Sequence, residues 1–212
     1  MKKILIFGMP RSGTTLLQKH LAQSLNLWGT YKEPFSDIEY RNQIGDPYAW
    51  VSQISNGVIK VLAQNLDYID LARFMQAGKF DLIVITKRNN LTDLCISLYY
   101  AEQIAGNYHY TSPPTVVDRF SVPIDFVHEF FLVSHSWYIK ALIQIQSQLI
   151  DHVIFDYDLY QQGESQVING IEFCLAKESD YGIDTVASKI DYSKACVNYN
   201  EIAEIIAREN YN

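Results

Sequence analysis

The sequence predicts an α/β protein, a three-layer α/β/α sandwich around a short parallel sheet, on three observations. Short apolar runs rich in β-branched residues recur along the chain, each continuous enough to be buried on both faces. Stretches with apolar residues at helical spacing separate them. The first run passes through a glycine-bounded loop directly into one of those stretches. With 212 residues, 48% of them hydrophobic, the chain can bury one full core, and it is read as a single domain over 1–212.

The first element is the strand Ile4-Leu5-Ile6-Phe7. Gly8-Met9-Pro10-Arg11-Ser12-Gly13-Thr14-Thr15 follows as a loop, and Leu16, Leu17, His20 and Leu21 then mark one face of a helix ending near Asn26. Such a loop turns successive backbone N–H groups inward ahead of a helix N-terminus and so offers partial positive charge to an anion. Its spacing is that of the phosphate-binding loop G-x-x-x-x-G-K-[ST], which makes the sandwich P-loop-type, but Thr14 stands at the lysine position. In nucleotide triphosphatases that lysine reaches the β and γ phosphates and the next hydroxyl holds Mg²⁺, so its replacement argues against ATP or GTP hydrolysis. Arg11 and Ser12 offer a guanidinium fork and a hydroxyl in its stead.

Pro10-Arg11-Ser12-Gly13-Thr14-Thr15 directly after an apolar strand resembles the 5′-phosphosulfate loop of sulfotransferases that use 3′-phosphoadenosine 5′-phosphosulfate (PAPS), closest in pattern to bacterial carbohydrate-type and tyrosylprotein enzymes. The resemblance implies that these six residues hold the donor. It further implies a second anion site and an acceptor base elsewhere in the chain.

Leu27 to Tyr31 reads as a short second strand leading into Lys32-Glu33-Pro34-Phe35. Pro34 biases Glu33 toward an extended conformation at a strand end, where open α/β sheets place their ligands. In the family a glutamate after the second strand serves as the acceptor base, a role that falls on Glu33. Asp37 to Gly57 reads as loop with a short helix around Ala49 to Ile54. Val58 to Leu62 is a buried strand with a charge inside it, Lys60; a lysine in such a run either snorkels from an edge or points to the ligand edge. The resemblance supports the second, since related enzymes place here a lysine that contacts the sulfuryl or leaving oxygen.

Leu66 to Ala77 has helical periodicity and stops at Gly78. Phe80 to Thr86 is the strongest strand, closed by Lys87-Arg88, and Asn89-Asn90 caps a helix from Leu91 to about Ala105. A dibasic pair beside a helix N-terminus is a second anion site. The segment resembles the 3′-phosphate motif of the same enzymes, in which a strand-end arginine and a serine two helical turns on grip the phosphate; Arg88 and Ser97 match. Their separation is nine positions where the family has eight, so either a residue bulges near Asn89-Asn90 or Lys87 shares the role.

Gly106 to Asp125 is a long aromatic loop carrying His109, a candidate to touch acceptor. Phe126 to Ile150 is a long helix with Phe130, Val133, Trp137, Leu142, Ile145 and Leu149 as its core stripe. His152 to Leu159 is a last strand ending in acids, similar to the tyrosine-acid-leucine segment after the last core strand of sulfotransferases. A helix over Gln166 to Ala176, a loop over Lys177 to Lys194 and a terminal helix over Glu201 to Arg208 complete the chain.

A net charge of -7 opposes a general nucleic-acid or acidic-membrane surface, so an anionic ligand must meet a local cluster of Lys and Arg. Cys95, Cys174 and Cys196 are scattered with no metal-ligand spacing, and no stretch approaches a membrane helix, which together read as a reduced, cytoplasmic protein with no metal site. The leading reading is a PAPS-dependent sulfotransferase acting on a small-molecule or carbohydrate hydroxyl. In it Glu33 is the base, Lys60 and Arg11 stabilise the leaving oxygen, and Pro10 to Thr15, Arg88 and Ser97 bind donor; the residues leave the oligomeric state open. The alternatives are a P-loop kinase or NTPase that uses Asp156 or Asp158 as a magnesium-holding acid, and a non-catalytic nucleotide-binding module.

Overall fold

Strand β1 (Lys3–Gly8) is buried along its whole length because parallel strands flank it on both sides. The computed structural model describes residues 2–27, 29–31, 33–105, 118–174 and 190–210. In it β3 (Gly57–Leu62) pairs with one edge of β1 and β4 (Leu82–Lys87) with the other; β2 (Thr30–Tyr31) lies outside β3 and β5 (Val153–Asp156) outside β4. The five parallel strands run in the order β2-β3-β1-β4-β5. The chain therefore leaves β1 toward one side of the sheet and later crosses to the other. That reversal opens a crevice at the carboxyl end of β1, where ligands of open α/β sheets bind.

Alternation along the strands divides the core in two. Leu5, Phe7, Ile59, Val61, Ile83 and Ile85 face a broad helical layer that includes α3 (Pro47–Gln53), α4 (Leu71–Gly78) and α5 (Leu91–Tyr99). Ile4, Ile6, Val58 and Val84 face α1 (Thr14–Ser24), which contributes Leu17 and Leu21. Gln18 of α1 donates to the carbonyls of Tyr31 and Val58, tying the two-residue β2 to the sheet.

Several expected elements differ. Gln166 to Ala176 is no helix over its described part: Gln166–Ile168 (β6) and Ile171–Phe173 (β7) form an antiparallel hairpin closed by Asn169 and Gly170 at φ 52° and 78°. Two left-handed residues are what a tight hairpin turn requires, and Asn-Gly supplies them. The long helix starts at Ile124 and contains a π turn, Phe131–His135, between α6 (Ile124–Phe130) and α7 (Ser136–Ser147). The π turn rotates the buried face, so Val133 is exposed while Phe131, Tyr138 and Ala141 are buried; Leu149 is exposed because α7 ends at Ser147 and Leu149 turns away at φ 51°. Asp37 to Gly57 holds two helices, α2 (Ile38–Ile44) as well as α3, each capped by an aspartate. Leu66 to Ala77 divides into a 3₁₀ turn, Ala63–Asp67, and α4, whose cap is Asp70. The last core strand ends at Asp156, which caps a short helix α8 (Tyr157–Gln161). A one-turn helix, α9 (Tyr192–Ala195), and the three-turn α10 (Tyr199–Asn210) follow. His109 and most of the aromatic loop lie outside the described residues, as does Lys32. No helix among the described residues is long and apolar enough to cross a membrane.

His20 is a packing residue on α1, 2% exposed and with its ring centroid 4.3 Å from that of Phe173. Burial lowers its pKa from the ordinary 6.5. Between the two values the unfolded chain binds a proton that the native chain does not, so this contribution is complete above the ordinary value and is lost as pH falls through the folded one. Urea unfolding followed from about pH 7.5 to about pH 5 should show that decline. His20→Phe should flatten part of it, leaving the share of His135, whose pKa burial also lowers. An unchanged slope in His20→Phe would remove His20 from this account.

Candidate active site

The loop after β1 is folded around Ser12. Its hydroxyl is fully buried, donates to the Met9 carbonyl at 2.6 Å and pairs with the Thr86 hydroxyl of β4 at 2.6 Å. Gly8 is required at the crossing: a Cβ there would stand 1.8 Å from Thr86 Oγ1. Ser12 thus closes the loop from within, a task different from the anion contact expected of it. Pro10 and Thr14 are buried with it. Arg11 and Gly13 both take positive φ, 64° and 82°, and a Cβ on Gly13 would also meet the Tyr157 ring at 2.4 Å. From Gly13 the chain enters α1 with no side chain capping its first-turn amides, whereas α2, α3, α4 and α5 all start at an aspartate or asparagine cap.

Lys60 lies opposite Ile6 in the sheet, on the α1 side with Val58, and is 1% exposed. Its ammonium meets the Glu33 carboxylate at 2.6 Å and donates to the Thr15 hydroxyl at 2.7 Å. An ammonium removed from water requires such partners. Glu33 reaches it in a left-handed conformation, φ 49°, which overturns the extended geometry expected ahead of Pro34. The Ser36 amide donates to the Glu33 carbonyl at 3.0 Å, so the residue opens a turn that aims its side chain back over β3.

On the other side of β1, Arg88 stands at the end of β4 and is 8% exposed, while Lys87 is exposed; the arginine is the cation turned into this corner. Its Nη1 donates to the Arg11 carbonyl at 3.1 Å, and its guanidinium lies 5.4 Å from the centre of the Tyr157 ring. Ser97, 2% exposed on α5, accepts from Arg11 Nε at 3.1 Å. Arg88 and Ser97 therefore converge, each through Arg11, with Ser97 meeting Arg11 and not Arg88.

Three further residues, Thr86, Tyr157 and Asp158, join this corner from outside the expected donor-binding and catalytic set, although the sequence already marks Tyr157-Asp158-Leu159 after the last core strand and Asp158 as a candidate acid. Thr86 ends an apolar strand, Tyr157 covers Gly13, and Asp158 accepts from the backbone amides of Asn89 and Asn90 at 2.5 and 3.0 Å. Asp156 caps α8 and accepts from the Asn89 side chain at 3.0 Å. Among the described residues no three His, Cys, Asp or Glu side chains form a group that could hold a metal ion. The carboxyl edge of the sheet thus gathers uncapped helix amides, Arg11 and Arg88 with Asp158 on one side of β1, and a Lys60–Glu33 pair on the other. Neither a scan against protein-family models nor a search of curated proteins finds a match to this chain.

Gly8→Ala is expected to destabilise the fold by about 3 kcal/mol, the upper range for overpacking a filled site. Thr86→Ala removes the atom nearest the added methyl, so the double variant should lose less than the sum of the two single losses. Additive losses in urea unfolding would show that the two positions do not compete for one space.

Proposed function

We propose that this chain is a sulfotransferase that moves the sulfuryl group of PAPS to a hydroxyl acceptor. The observation that carries the reading is the contact of one buried ammonium, Lys60, with both Thr15 of the loop and the carboxylate of Glu33. The loop has Thr14 where a triphosphatase has its lysine, and β3 returns a cation to the same loop from the neighbouring strand. A sulfuryl group carries a single negative charge, so lysine, arginine and backbone amides suffice to balance it.

The donor's 5′ side is placed against the amides at the start of α1, with Arg11 beside it, and the 3′-phosphate near Arg88 and the start of α5. Arg88 Nε supports this fit, being buried without a hydrogen-bond partner. Glu33 takes the proton of the acceptor hydroxyl as its oxygen forms the new bond to sulfur. The bond from sulfur to the bridging oxygen breaks in line, and Lys60 with Arg11 balances the charge that grows there, more in the transition state than before it. The acceptor is a small-molecule or carbohydrate hydroxyl entering at the β2–β3 side, and the setting is cytoplasmic. The kinase reading needs Asp156 or Asp158 to hold a metal beside the loop; both are turned to the N-termini of α8 and α5, which favours sulfuryl transfer.

Glu33→Gln keeps an oxygen for Lys60 and removes the base, so turnover with an alcohol acceptor should fall by roughly 10² to 10⁴ fold with donor binding nearly intact. A phenol, more acidic, should partly rescue Glu33→Gln but not Lys60→Ala, since only the first defect concerns deprotonation of acceptor. Labelled PAPS turnover in EDTA, with both variants checked for folding, provides the measurement. Near-normal alcohol turnover in Glu33→Gln would sink the assignment, and activity lost in EDTA and restored by Mg²⁺ would favour the kinase.

A further inference from the structure

The anion position at the start of α5 already holds a carboxylate. Both the Asn89 and Asn90 amides donate to the same oxygen of Asp158, Oδ2, at 2.5 and 3.0 Å. Its other oxygen lies 3.7 Å from Arg88 Nε, beyond hydrogen-bond reach. That nitrogen has no hydrogen-bond partner, although the Arg88 side chain is only 6% exposed. A buried guanidinium nitrogen left in this state faces an anion that fits imperfectly. One carboxylate oxygen serves both amides and the other falls short of the arginine; a phosphate group presents three acceptor oxygens around one centre and can meet all three donors.

We propose that Asp158 is an internal competitor for this position, which a phosphate on the ligand must displace. The identity of that phosphate as the 3′-phosphate of the donor rests on the sulfotransferase reading; the competition itself does not. Asp158 and a phosphate dianion cannot share the site, because like charges at contact repel and both need the same donors. Asp158 is carried by α8, whose cap Asp156 accepts from the Asp158 amide at 3.0 Å. Its displacement therefore exchanges one set of charge-assisted bonds for another. The exchange lowers affinity for phosphate-bearing nucleotides and speeds their departure. A nucleotide without that phosphate leaves Asp158 seated and gains nothing from the site, so the residue also sets selectivity.

The test compares binding of 3′-phosphoadenosine 5′-phosphate, adenosine 5′-monophosphate and inorganic phosphate to the wild-type chain and to Asp158→Asn by titration calorimetry. The amide variant keeps an acceptor for Asn89 and Asn90 and removes the charge. It should bind the 3′-phosphorylated nucleotide about tenfold more tightly, with a matching fall in dissociation rate, and adenosine 5′-monophosphate unchanged. Equal or weaker binding of the 3′-phosphorylated nucleotide would overturn the proposal and leave Asp158 a helix cap. Should neither nucleotide bind either form, the sulfotransferase reading fails, and inorganic phosphate decides the competition alone: tighter binding to Asp158→Asn upholds it and unchanged binding overturns it. If the variant does not fold, amide NMR of the wild-type chain answers, because saturating phosphate or nucleotide must shift the Asn89 and Asn90 resonances together, and their staying fixed overturns the proposal.

Discussion

A single ammonium organises the ligand edge of this protein. Lys60 sits in the second layer of a parallel sheet, under α1 and 1% exposed, where leaving a charge unpaired costs about 3–5 kcal/mol. Holding one residue in the left-handed region costs about 1–2 kcal/mol. The comparison explains why Glu33 adopts φ 49° ahead of a proline that disfavours neither its side chain nor its charge: pairing the ammonium outweighs the backbone strain. The same demand turns the Thr15 hydroxyl of the first helical turn toward β3. Loop, strand and strand end are thereby locked to one point, with a carboxylate and a cation in contact.

On the opposite side of β1 a corner of polar contacts is assembled through Arg11. Its carbonyl is held by Arg88 just after β4 and its Nε by Ser97 from α5, so loop conformation and the start of α5 are mechanically joined. The Ser12–Thr86 hydroxyl pair, which only a glycine at position 8 permits, fixes the loop to β4 from below. A ligand that engages Arg88 acts on a group already bonded to the loop. Under the proposed function this is the route by which occupancy at the start of α5 bears on the geometry at the start of α1; Asp158 stands at that junction.

The places where local pattern misled have separate causes. Val133 lies on the helical stripe at ordinary pitch, but a π turn changes the pitch and brings Phe131, Tyr138 and Ala141 to the core, a change that depends on what the helix packs against, and Leu149 falls past the helix end at Ser147. Gln166 to Phe173 has enough apolar residues for a helix, yet Asn169-Gly170 carries a hairpin signal that was legible in the sequence and outweighs it. Residues 37–57 hold, besides the expected helix α3, which starts two residues early at Pro47, a second helix α2 whose cap Asp37 is visible only once the helix is known.

The sequence by itself determined the strands β1, β3 and β4, the loop between β1 and α1, and the positions of Glu33, Lys60, Arg88 and Ser97 in chain order. Those follow from side-chain period and from spacing, both of which are local. Tertiary structure alone decided which of those residues meet: Lys60 with Glu33 and Thr15, Ser97 with Arg11, and Arg88 with the Arg11 carbonyl. It also decided that Ser12 closes the loop on Thr86 and that Asp158 lies on the amides of Asn89 and Asn90. The physical reason is that parallel strands adjacent in the sheet are distant in the chain, so contacts at their carboxyl ends depend on strand order, and strand order is a property of the whole core.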